Sequence, residues 1–161
     1  MSNGIRVPRY LEIAEDEIGI KEVPGTGNHP RILEYHATTT LGNWAKSKDS
    51  VPWCSSFVNW AVTNSGLKGT DNALARSWMT WGEPVDEPRL GDIVVIKRLA
   101  RGRDRRTGSF GGYHVAFYVR RRRGRLRLLG GNQANSVKFS NYSLRRYEIK
   151  AVRRWSSSSA V

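Results

Sequence analysis

The sequence predicts an α+β domain in which N-terminal helices pack on one face of a C-terminal antiparallel sheet. Three observations carry this expectation. Ahead of Asp92 the apolar residues recur at helical spacing, and from Ile93 onward they fall in β-rich runs separated by Gly, Asn, Ser and Arg clusters. The 161 residues, 39% hydrophobic, supply one core and leave no room for a second. A single domain is therefore expected over 1–155, with a disordered tail at 156–161 that opens on four consecutive serines.

Taken in order, Leu11, Ala14 and Ile18 fall at i, i+3 and i+7 among acidic neighbours, which predicts an amphipathic helix over 9–19, stopped by Gly19. A turn-rich stretch from Glu22 to Asn28 follows, then a short helix at 31–35 and a polar loop over 38–50. The clearest helix spans 51–65: Asp49 or Ser50 can cap it, Pro52 is tolerated in its first turn, and Gly66 ends it. On it Cys54, Phe57, Val58 and Ala61 share the inward face, with the thiol about one turn from the start. A short helix at 74–81 and a loop at 84–89 lead to strands expected at 93–96, 113–120, 125–129, 137–139 and 147–155.

Charge is unevenly placed. Of the net +13, residues 97–127 contribute +11, with twelve Lys and Arg against Asp104 alone. Such a field attracts polyanions, and the runs from Arg101 to Arg106 and from Arg120 to Arg127 fit anionic outer-membrane or wall polymers as well as they fit a merely solvated face. Nucleic acid is the rival partner; the chain carries no recognised nucleic-acid module, and no specific nucleic acid is expected. The first ten residues contain two arginines and no apolar run, so neither a secretory signal nor a membrane anchor is expected, which points to synthesis in a host cytoplasm.

A lone cysteine forms no internal disulfide, leaving packing or reactivity as its reason to exist. Near a helix N-terminus the N–H groups and the macrodipole favour the thiolate, so Cys54 is placed to be a nucleophile. His114 opens the strand Tyr113 to Val119 on the face of Ala116 and Tyr118, and small Ala116 is expected to leave room for a packed helix. With a three-residue hairpin loop at 122–124, Arg121 pairs with Arg125 and His114 with Asn132, an amide suited to orienting the imidazole; a one-residue slip brings Gln133 there instead.

The stretches Pro52-Trp53-Cys54-Ser55-Ser56-Phe57, Gly91-Asp92-Ile93-Val94-Val95, His114-Val115-Ala116-Phe117-Tyr118 and Leu129-Gly130-Gly131-Asn132-Gln133 resemble the NlpC/P60 and CHAP hydrolases. The likeness is to a phage and prophage subgroup with a leading Glu-x-Pro-Gly, here Glu22 to Gly25, and with Ala75-Arg76-Ser77-Trp78 it extends over most of the chain. The resemblance implies a papain-like fold, attack by Cys54 on an amide of the peptidoglycan stem peptide, proton transfer by His114, and orientation of His114 by Asn132. It implies an endolysin-like lytic enzyme that needs no cofactor; with no secretory signal expected, release through a holin-type pore is the expected route, a tail-associated or injected enzyme the alternative, and a monomer the expected state. Many CHAP members have a glutamate where this chain has Gly130.

Of Trp53, Trp60, Trp78 and Trp81 most are expected to be core, and Trp53 and Trp78 are the better candidates to touch substrate, with Ser77 and Gln133 as further substrate-binding residues. A zinc site from Cys54, His29, His36 and His114 is the hydrolytic alternative, though no pair has the usual short ligand spacing. A muramidase built on Glu15, Glu17 or Glu22 is another, and clustered helical acids more often form a solvated face.

Overall fold

A computed structural model describes residues 6–156; the serine tail beyond Ser156 lies outside the described residues. Helices come first: α1 (Arg9–Glu15), α2 (Pro30–His36), α3 (Asn43–Lys46) and α4 (Cys54–Asn64), followed by a 3-10 helix at Ala75–Thr80. Strands then follow as β1 (Glu83–Pro84), β2 (Ile93–Arg98), β3 (Tyr113–Arg122), β4 (Arg125–Gln133), β5 (Ser136–Ser143) and β6 (Tyr147–Arg154). They form one antiparallel sheet in the order β1-β6-β2-β3-β4-β5. The α+β architecture expected from the order of periodicities is present. Among the described residues no helix is long and apolar enough to cross a membrane.

The pleat divides the sheet into two environments. Ile93, Val95, Val115, Phe117 and Leu129 point toward α1, α2 and α4, where they pack with Leu11, Ala14, Ile32, Tyr35, Phe57 and Val58. Val94, Ile96, Ala116, Leu126, Leu128, Tyr142 and Tyr147 form a second cluster on the opposite face. Among the described residues no helix covers that face; residues 99–112, between β2 and β3, lie across it. There Asp104 accepts the Tyr147 hydroxyl at 2.8 Å and the Arg106 guanidinium sits 4.6 Å over the Tyr142 ring. Ala116 therefore faces this strap, and the helix packs on the other side of β3, contrary to the expectation that Ala116 makes room for it.

Several elements depart from the sequence reading for local reasons. α1 stops at Glu15, and the turn that follows rotates Glu17 inward, where it accepts the Tyr35 hydroxyl at 2.8 Å and pairs with Arg31 at 2.9 Å. Ile18 is consequently 44% exposed and not on the core stripe. The expected loop at 38–50 contains α3, and Leu74, placed in a helix by its sequence, is exposed ahead of the 3-10 turn. α4 begins at Cys54, later than expected, because Asp49 accepts the backbone N–H groups of Val23 and His29 and does not cap the helix. Its N-cap is Trp53, with no side-chain cap hydrogen bond.

The β3–β4 hairpin turns through two residues, Arg123 and Gly124, both at positive φ as a type I′ turn requires, so Arg122 faces Arg125. The expected three-residue loop is absent. A bulge between Tyr118 and Arg120 takes up the extra residue, and Phe117 still faces Leu129, as the longer loop would have placed them.

Candidate active site

Cys54 is the first residue of an eleven-residue helix, so its side chain lies among the unpaired N–H groups of the first turn. The thiol is buried, and burial pushes its pKa up, against the pull of the backbone N–H groups of Val115, Ser55 and Cys54 itself. Val115 belongs to β3, and its contact with the sulfur joins the helix start to the strand. The close approach depends on a residue without a side chain. A Cβ on Gly131 would lie 2.7 Å from the Phe57 Cβ and the Trp53 ring, so only glycine lets α4 settle this deeply on β4.

His114 directly precedes Val115, and its ring is fully buried. Its Nε2 lies 3.0 Å from Gln133 Oε1. The Gln133 amide is oriented by its other contacts: Nε2 donates to the carbonyls of Lys138 at 2.6 Å and Leu128 at 3.4 Å, while Oε1 also accepts the Tyr142 hydroxyl at 2.9 Å. Because Oε1 can only accept, His114 Nε2 must carry the proton and Nδ1 must hold the lone pair. Nδ1 is buried with no hydrogen-bond partner. Burial drives the His114 pKa down to about 4, opposed by the Gln133 hydrogen bond and the Asp104 charge and assisted by Arg106. Thiol and imidazole are thus both held neutral at rest.

The orienting hydrogen bond comes from Gln133, not Asn132. β4 leaves regular register between Gly130 and Gln133, with Asn132 at φ 56°, and this irregularity brings the next residue round to the imidazole. Gly130 is part of the device: a Cβ there would lie 2.9 Å from Gln133 Oε1 and 2.8 Å from the Ala116 Cβ. Asn132 makes no hydrogen bond to His114. Its Oδ1 is buried without a partner and its amide lies under Gly108 of the strap.

The side chains expected to flank substrate are committed elsewhere. Trp53 and Trp78 are both fully buried; the Trp53 indole donates to Glu22 at 2.9 Å and the Trp78 indole to the Ser55 hydroxyl at 2.9 Å. Ser77 bonds Thr70 at 2.8 Å, and Gln133 has no exposed surface. The Gly91-Asp92 motif has a structural use, since Asp92 accepts from Nε and Nη2 of Arg154 at 2.8 and 2.7 Å and ties β6 to the start of β2. His29 caps α2 and His36 bonds Ser56 at 2.8 Å. Among the described residues no three His, Cys, Asp or Glu side chains cluster as a metal site.

Sequence reasoning missed Tyr142, Asp104 and Arg106. Tyr142 stands beside the imidazole, with ring centroids 5.7 Å apart, and buttresses Gln133. It lies beyond the expected end of its strand, where polar Ser140 and Asn141 hide the alternation. An open groove of about 340 Å³, lined by Glu22, Asp49, Ser50, Ala134, Asn135 and Ser136, begins one residue beyond Gln133; neither Cys54 nor His114 lines it. Burial and the Asp49 charge raise the Glu22 pKa, while the Trp53 hydrogen bond and Arg103 hold it down. No protein-family model matches this chain, and no curated protein matches it significantly.

Proposed function

We propose that this chain is a papain-like cysteine hydrolase of the NlpC/P60 and CHAP kind, cleaving an amide or peptide bond of the peptidoglycan stem peptide. One observation carries the reading: the Cys54 sulfur rests on the Val115 N–H, one residue from an imidazole whose Nε2 proton is committed to Gln133 and whose Nδ1 lone pair is free. No hydrogen bond joins the thiol to the imidazole in this resting arrangement; they are linked through adjacent residues of β3, and a locked tautomer with an unpartnered Nδ1 is what a general base needs.

In this reading Sγ attacks the carbonyl carbon as its proton passes to His114 Nδ1. The negative charge that develops on oxygen is met by N–H groups at the start of α4. His114 then returns the proton to the departing amine, leaving a thioester on Cys54, and a water activated by the same nitrogen releases the acid. Gln133 holds the ring throughout, and the groove between Glu22 and Asn135 is the approach for the peptide. An endolysin released through a holin-type pore is the biological setting that accords with this chemistry.

Alkylation of Cys54 with iodoacetamide is expected to abolish lysis of permeabilised bacterial walls while EDTA leaves it intact. Lysis that survives alkylation, or that chelation abolishes, overturns the proposal.

A further inference from the structure

We propose that an arginine-lined groove at the β3–β4 hairpin tip binds a linear phosphodiester polymer of the bacterial wall, of the poly(glycerol phosphate) kind. In the observed register Arg120 faces Arg127 and Arg122 faces Arg125, two successive rungs of directly opposed like charge. Opposed like charges destabilise a strand pair, and among the described residues no carboxylate forms an ion pair with any of the four. A pair of strands that keeps this arrangement is built for a counter-charge brought from outside.

Geometry narrows the partner. Side chains two residues apart share a face about 6.5 to 7 Å apart along a strand, so the rungs form a short ladder, and they line a cleft of about 440 Å³ with Asn141. A second cleft of about 750 Å³ shares Arg123, Arg125 and Asn141 and adds Arg106, Arg145 and Arg146 beyond the turn. The two adjoin through these shared residues. A groove of that form follows a chain of phosphates, where a lone phosphate would occupy a single rung, and the guanidinium fork matches phosphate oxygens.

Nucleic acid is a poorer fit because neither cleft offers a ring for a base to stack on. The nearby Phe139 and Tyr142 already carry Arg127 and Arg106 guanidinium groups on their faces, at 4.7 and 4.6 Å. A membrane surface is a poorer fit because none of the large exposed apolar side chains, such as Trp44, Leu99 and Phe110, lines either cleft. Of the arginine runs read from the sequence, the run after Arg120 lines the groove, only Arg106 of the earlier run joins it, and Arg145 and Arg146 complete it. The choice of a wall polymer among phosphodiesters rests on the hydrolase reading; the charge ladder does not.

The test uses the full chain as the Cys54→Ala variant, which binds without turning over, so failure of polymer binding and failure of hydrolysis are separate results. Titration with poly(glycerol phosphate) at about 50 and about 200 mM salt is expected to show binding that weakens steeply with salt. The Arg120→Gln/Arg122→Gln/Arg125→Gln/Arg127→Gln variant is expected to bind about tenfold or more weakly, with a Tm equal to or above that of its parent. That Tm separates lost contact from lost fold. Unchanged binding by the quadruple variant overturns the proposal, as does tighter binding to single- or double-stranded oligonucleotides of equal phosphate number or to phosphatidylglycerol vesicles.

Discussion

The same two strands, β3 and β4, carry opposite solutions to polarity at their two ends. At the His114 end the polar groups are buried and chosen so that one orients the next: Tyr142 and Lys138 fix Gln133, and Gln133 fixes His114. At the hairpin tip the side chains are like-charged, exposed and set directly against one another. The buried end draws its stability from the protein alone and keeps one imidazole nitrogen in reserve. The tip gives up stability unless something external supplies negative charge. The contrast separates residues that build a site from residues that await a partner, and it yields expectations of graded size.

The largest effect is expected at the buried end. His114→Ala should lower the rate of stem-peptide cleavage by about a thousandfold, the scale of a lost general base, measured on purified peptidoglycan. Next comes a pH effect on stability. A histidine whose folded pKa is about 4, below its unfolded value, binds its proton more readily when unfolded. Its contribution is intact above pH about 6.5 and is lost as pH falls toward 4, by about 3 kcal/mol in all. Denaturant melts across that window should show the loss, reduced in His114→Gln; a slope unchanged by that substitution would place the imidazole in a more polar setting than the one described. His36, also lowered by burial, adds in the same direction.

A sharper cut lies between neighbours on β4. Gln133→Leu removes the acceptor of His114 Nε2 and of the Tyr142 hydroxyl and the donor to the Lys138 and Leu128 carbonyls, and is expected to lower kcat by about a hundredfold and stability by about 2 kcal/mol. Asn132→Ala should lower kcat less than tenfold, an order-of-magnitude expectation for a residue that does not touch the ring. The reverse ranking would restore Asn132 as the orienting residue. Smallest is the tip: Arg120→Gln removes one like-charge rung and should raise stability by about 0.5 kcal/mol, read as a small rise in denaturant midpoint.

Much of this organisation was legible in the sequence, and its limits have physical causes. The change of period at Ile93 marked the passage from helices to sheet, and the Pro52-Trp53-Cys54 stretch marked the helix that carries Cys54, because both signals are local. The register from His114 toward β4 was legible in outcome and not in detail. A tighter turn at Arg123-Gly124 and a bulge after Tyr118 compensate one another, and neither has a composition signal strong enough to read. The left-handed Asn132 then passes the imidazole contact to Gln133. That most of the tryptophans are core was legible, but what holds Trp53 and Trp78 was not, since their indoles are held by Glu22 and Ser55 across 31 and 23 residues of chain. The strap over the second sheet face is a basic, glycine-containing loop by composition, and it is long-range contacts, Asp104 bonding Tyr147 43 residues away and Arg106 stacked over Tyr142, that make it a wall of the site.

Mass spectrometry of the fragments released from purified peptidoglycan by the wild-type chain and by Cys54→Ala tests the central claim most directly. The nucleophile account expects a new amine and a new carboxylate within or at the head of the stem peptide from the wild type, and neither from the variant. The same fragments from both proteins, or new reducing sugar ends with intact stem peptides, would contradict it.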